Sequence, residues 1–167
     1  LATLVGSGAL EALPMSGLPF FFGSVFIVSA VVGVSRLGGL VAGAIPIGAL
    51  VGFQAFRLPL ELVMHEAARA GIMPVQMSFS GWNFDIVTGV TAIPVAWLAA
   101  TGRAPRALLI AWNLLGSILL ATIMTLAAVS THVIAAFGPG AALNTFVAHV
   151  PYVWLPSVMV AAALVGH

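Results

Sequence analysis

Cysteine is absent from the 167 residues, so disulfides, thiolate metal sites and cysteine nucleophiles are excluded. Charge is nearly absent as well: five Lys and Arg and four Asp and Glu make up 5% of the chain. A soluble domain carries about 25% charged residues, and so few cannot cover a water-facing surface. The net charge is +1, and no basic run exists to follow a phosphate backbone, which argues against nucleic acid as a partner. Zinc, phosphate-loop and nucleotide fingerprints are missing, and no nucleophile–base pair is evident. No cofactor is implied. The first stretch lacks the basic n-region of a cleavable signal peptide. Neither an internal repeat nor a soluble domain is visible.

What is present is apolar. Hydrophobic residues make up 62% of the chain, and the mean hydropathy is +1.20. Lipid is the solvent that suits such a composition. In lipid every backbone N–H and C=O must be paired internally, which leaves helices or a closed barrel. The apolar stretches run well past the roughly 10 residues of a barrel strand and lack strict alternation. The expected fold class is therefore all-α, an integral membrane bundle of five to six transmembrane helices. It forms a single domain over residues 1–167. Leu1 and His167 both stand in apolar sequence, and the expectation is a segment continuing beyond each end.

Residues 1–13 are apolar but short, interrupted by Gly6, Ser7, Gly8 and Glu11, and read as the tail of a helix. Pro14, Ser16, Gly17 and Pro19 mark a break. A helix is predicted over 18–34, then a tight turn at Arg36, Gly38 and Gly39. The next helix, 40–56, carries Pro46 as a kink and continues as an amphipathic stretch to Gly71. After a loop over 72–82, helices are predicted over 83–100 and 107–130. A long connection with the turn Gly138-Pro139-Gly140 precedes a last helix starting near Pro151. Arg36, Arg103 and Arg106 fall in connections on one side, and Arg69, offset by Glu66, falls on the other. The positive-inside rule places the first set in the cytoplasm. Trp82, Tyr152 and Trp154 then belong at the outer interface and Trp112 near the inner one.

The most informative polar stretch is Gln54, Arg57, Glu61, His65 and Arg69, spaced by three, four, four and four residues. That spacing stacks them along one stripe of a helix. Counted from Leu40, Arg57 lies roughly 26 Å along the axis, in the outer part of the hydrocarbon. Ionisable groups at such depth face the protein interior, so the stripe is a candidate wall of a water-filled cavity or ligand site. The plainer alternative is a structural Arg57–Glu61 pair, with His65 and Arg69 at the headgroups. A second feature is GWNFDIVTG, residues 81–89, where Asn83 and Asp85 are placed to meet the outer half of the preceding helix. Here the plainer alternative is a capped helix start, with Asp85 favoured by the macrodipole. Together Gln54, Arg57, Glu61, His65, Asn83 and Asp85 form the candidate polar cluster. Arg57 is expected to be buried and paired to Glu61 or Asp85, its other donors meeting Gln54, Asn83 or water. Asn113, Ser117, Thr122 and Thr125 read as packing residues that bond between helices or back to a carbonyl. His132 and His149 have no partner ligands at motif spacing, so no metal is expected there. The six Met residues read as core filler.

FRLPLE (56–61) and GWNFDIVTG (81–89), with AWNLLG (111–116) and VPYVWLP (150–156), resemble a group of bacterial polytopic inner-membrane proteins. The resemblance covers roughly residues 50–160. It implies a six-helix-like inner-membrane protein and carries no activity with it. The length and VPYVWLP are also similar to the tryptophan-rich sensory protein family. The Trp-dense pattern by which that family binds cholesterol and porphyrin is not present here.

Three functions fit these observations. One is a small permease or ligand-binding membrane protein with an outward-facing polar cluster. Another is an accessory subunit of a larger electron-transfer or photosynthetic membrane complex, its apolar faces packed on partners or on a second copy of the chain. The third is an intramembrane enzyme acting on lipid or a quinone, with Glu61, Asp85 or His65 as acid–base groups.

Overall fold

The computed structural model describes residues 17–149 and 152–166, and the expectations for the first 13 residues and for a helix start at Pro151 lie outside them. Among the described residues the regular structure is entirely helical. Helix α1, Gly17–Val34, is followed after Ser35 by a nine-residue helix α2, Arg36–Ala44. The tight turn expected at Arg36–Gly39 is thus the first turn of a helix. Ser35 makes the difference: its hydroxyl accepts the Gly38 N–H at 3.4 Å, which caps the new helix three residues in.

Pro46 does more than kink. It has no N–H to give, and it biases the residue before it away from helical geometry. The chain leaves the helix at Ala44 and re-enters it only at α3, Ile47–Phe53. A 3₁₀ turn, Gln54–Phe56, joins α3 to α4, Arg57–Arg69, and the three pieces form one rod of 23 residues. Helix α5 is Ile86–Ala100, and α6 is Arg106–Val129. A long irregular stretch holds Gly138 and Gly140 at positive φ, as its turn sequence suggests. A π-helical turn at Leu155–Met159 then leads into α7, Val160–Gly166. Among the described residues two helices, Ile47–Arg69 and Arg106–Val129, are long and apolar enough to cross a membrane.

Close packing of small residues sets the position of α5. A Cβ at Gly48 would stand 3.0 Å from Ala100, and one at Gly52 would stand 3.4 Å from Ala96. At the other end, a Cβ on Gly89 would run into the backbone of Arg57 and Leu58. Helix α5 therefore runs antiparallel along α3, from the level of Arg57 back to Gly48. The backbones approach closely because small residues line the seam. Trp112 of α6 closes this part of the core with Val51, Ala92 and Val95. Its Nε1 donates to Thr91 Oγ1 at 2.9 Å, and the indole is buried within the bundle.

Because α5 begins beside Arg57, the second half of the rod is accompanied by the connection 70–85 instead of by a helix. That connection is a packed structure with Met73, Pro74, Met77 and Ser78 buried. It meets much of its own backbone demand through Met77 N–H to Pro74 O at 3.0 Å and Ser78 N–H to Val75 O at 3.0 Å. Asn83 N–H to Ser78 O at 3.2 Å adds to these. Met64, Met73 and Met77 join Leu120, Ile123 and Phe146 in a second core, in keeping with methionine as an adaptable filler. On α6, Thr122 and Thr125 bond back to Ile118 O at 2.9 Å and Ala121 O at 2.8 Å, as expected of packing residues.

Candidate functional site

Five of the six residues of the candidate cluster are brought together and buried. Gln54, Arg57, Glu61, Asn83 and Asp85 are each no more than 5% exposed. Arg57 and Glu61 come from one face of α4, one turn apart. Asn83 and Asp85 come from the end of the connection that folds back along that helix. Arg57 Nη1 donates to Asp85 Oδ1 at 2.6 Å, the pairing across elements that the sequence left open against Glu61.

Glu61 has a different partner. Asn83 Nδ2 lies 2.9 Å from each Glu61 carboxylate oxygen and 3.1 Å from Met77 O. The amide has two N–H groups, so one straddles the carboxylate and the other holds the connection's backbone. Asn83 Oδ1 accepts the Asp85 N–H at 3.1 Å. One amide thus fixes both carboxylates: it binds one and positions the backbone of the other. Asp85 itself immediately precedes α5 and takes no place in its first turn. Gln54 does not serve Arg57 either; its Nε2 donates to Ala163 O at 3.2 Å and ties α7 to the rod.

Two expectations are corrected. First, the distance of Arg57 along its helix was counted from Leu40 as one unbroken helix. Pro46 interrupts that count, and from Ile47 the distance is about 15 Å at 1.5 Å per residue. The exposed Glu66–Arg69 pair lies about 13 Å beyond Arg57 along the same axis, so Arg57 sits near the middle of the rod. Second, His65 leaves the cluster. Steps of four residues drift about 40° around a helix each time, so the stripe has rotated away by its fourth and fifth members, His65 and Arg69. His65 is half-buried, stacked on Phe79 with centroids 4.2 Å apart, its Nδ1 2.9 Å from Ser80 Oγ. Arg69 pairs with Glu66 at 3.2 Å on the surface.

The guanidinium uses one N–H for Asp85. Its Nε and Nη2, both buried, have no hydrogen-bond partner. Arg57, Glu61 and Asp85 stand on the wall of a cavity of about 250 Å³ between α1, α4, α6 and the C-terminal helical segment. The rest of the lining is largely apolar, with Phe26, Phe56, Leu120, Met124 and Met159 among its residues. One further polar group lies there without a partner: Asn144 Oδ1, whose amide nitrogen is engaged with Ala127 O at 2.9 Å. Sequence reasoning passed over Asn144, a lone amide in a long connection. It also passed over Gly89, whose missing side chain lets Asp85 reach Arg57; the signal available was a glycine inside an apolar helix.

Among the described residues, no group of three or more His, Asp and Glu side chains is arranged to hold a metal ion. His132 and His149 are both exposed. The chain matches no protein-family model, no curated protein and no solved structure.

Proposed function

We propose that this chain is a multi-pass protein of the bacterial inner membrane that binds a small ligand, as a receptor or small permease would, at the Arg57–Glu61–Asp85 wall. The observation that carries this reading is a buried guanidinium whose Nε and Nη2 have no partner, on a residue that lines a largely apolar cavity. Buried polar groups are paired in folded proteins, and an orphan donor on a cavity wall marks a place where something else supplies the acceptor. The membrane part of the reading is supported by two helices of crossing length and by bare apolar side chains. Phe20 is 80% exposed, Val34 90% and Ile118 62%, which water would penalise and lipid would not.

In this arrangement α1, the α3–α4 rod, α5, α6 and the C-terminal helical segment cross or enter the bilayer. The connection 70–85 is re-entrant: non-helical backbone at membrane depth is tolerated where protein buries it. Arg36, Arg103 and Arg106 lie on the cytoplasmic side. Because the chain has no native cysteine, single cysteines at Gly102 and Gly140 report topology cleanly. An impermeant reagent applied from the periplasm should label position 140 and spare 102; the reverse would overturn the orientation.

The ligand-binding reading is tested by purifying the protein in mild detergent and identifying small molecules that travel with it by mass spectrometry. A stoichiometric compound that is lost on Arg57→Leu is the expected result. The same bare apolar faces also suit a subunit packed on partners. Migration in a large native complex, with no bound small molecule, would move the reading to an accessory subunit.

A further inference from the structure

We infer that the ligand of this cavity is an uncharged amphiphile: an apolar body with one acceptor oxygen, such as a hydroxyl or carbonyl, at its head. The inference rests on the ligand-binding reading and narrows it to a chemical class.

The charges on the wall decide the head. Arg57 is already matched by Asp85 at 2.6 Å, and Glu61 stands one turn away on the same wall. Two carboxylates thus face one guanidinium. An anionic head would bring a further negative charge into a site that already holds more acid than base, at low dielectric. A cationic head has only donors to offer, and the groups left wanting on Arg57 are themselves donors, Nε and Nη2. A neutral oxygen satisfies them without adding charge. If that oxygen is a hydroxyl, its proton has acceptors available on the same lining in Glu61 and in the unpartnered Asn144 Oδ1.

The remaining wall decides the body. Phe26, Leu120, Met124 and Met159 offer dispersion contacts and little specific direction, which suits an alkyl or isoprenoid-like chain. A volume of about 250 Å³ is about eight times the share of one water in the liquid. That holds the head and first carbons of a lipid-like molecule.

The test uses photoactivatable probes with one common alkyl tail, ending in an alcohol, a carboxylate, an amine or a plain methyl. Each is presented to the full chain in phosphatidylcholine nanodiscs. The alcohol is expected to label peptides of α6 around Leu120–Ala127 and of the segment 155–160, saturably and displaced by unlabelled alcohol. Its labelling should exceed that of the other three about tenfold, the worth of one hydrogen bond to a charged group. Arg57→Leu should bring the alcohol down to the level of the plain alkane. Ala127→Phe, which fills the cavity and leaves the polar cluster intact, should abolish labelling even if the Arg57 variant fails to fold. Preferential labelling by the carboxylate or amine would overturn the uncharged class while leaving ligand binding standing. Equal labelling by alcohol and alkane would remove Arg57 from recognition. No saturable labelling of these peptides by any probe would overturn the binding reading as well.

Discussion

Helix α4 carries two ion pairs 12 residues apart from end to end, and they differ in almost every physical respect. Arg57–Asp85 joins two elements, spans 2.6 Å and leaves its side chains 1% and 7% exposed. Glu66–Arg69 lies within one turn of a single helix, spans 3.2 Å, and both side chains are about two-thirds exposed. The first exists only because Gly89 lets α5 start against the α4 backbone and because Asn83 fixes the Asp85 backbone. The second needs nothing but helical spacing. The lesson is that charge pattern alone ranks the two alike, while depth and the elements that meet there decide which one matters.

The comparison is broken most directly at Arg57. Arg57→Ala leaves Asp85 buried without its partner, and the expected loss of stability is about 3–5 kcal/mol. Unfolding by SDS titration in mixed micelles reads this, and a loss below about 1 kcal/mol would place the pair among surface bridges. Gly89→Ala comes next. Its added Cβ meets the backbone of Arg57 and Leu58, which cannot yield as a flexible side chain can. A cost of about 1–3 kcal/mol is expected, together with a longer Arg57–Asp85 distance in a structure of the variant. Trp112→Phe keeps most of the packing with Val51, Ala92 and Val95 and removes the 2.9 Å bond to Thr91. That should cost about 1 kcal/mol in the same titration. Arg69→Ala is the opposite pole: a change within about 0.5 kcal/mol, shrinking further at high salt. A larger effect would mean that the exposed pair has a partner of its own.

Much of the cluster is legible in the sequence. A chain with nine formal charges in lipid-like sequence places five of them between residues 57 and 85, and Arg57, Glu61 and Asp85 have few reasons to stand in apolar surroundings unless they meet. The helical spacing of Gln54, Arg57 and Glu61 and the run from Trp82 to Asp85 pointed to the same place. Three features were not legible. The depth of Arg57 depended on whether Pro46 kinks or ends a helix, a choice made by tertiary packing rather than by local preference. His65 was lost to the drift of a four-residue repeat around the helix. The cavity that Arg57 lines arises from α1, α6 and the C-terminal segment, which are distant in sequence. No spacing rule connects Asn144 to Arg57. The all-helical fold followed from the scarcity of charge, whereas the short helix at Arg36–Ala44 turned on one serine hydroxyl.

The central claim is that Arg57 and Asp85 are coupled across the bundle while Glu66 and Arg69 are not. A double-mutant cycle measures it, comparing Arg57→Ala, Asp85→Ala and the double variant by SDS-titration unfolding. The account predicts strong non-additivity, with a coupling energy of about 2–3 kcal/mol, inside the range found for residues in one buried network. Losses that simply add, within about 0.5 kcal/mol, would mean that the two side chains do not meet, and both the buried cluster and the ligand site built on it would fall with that result.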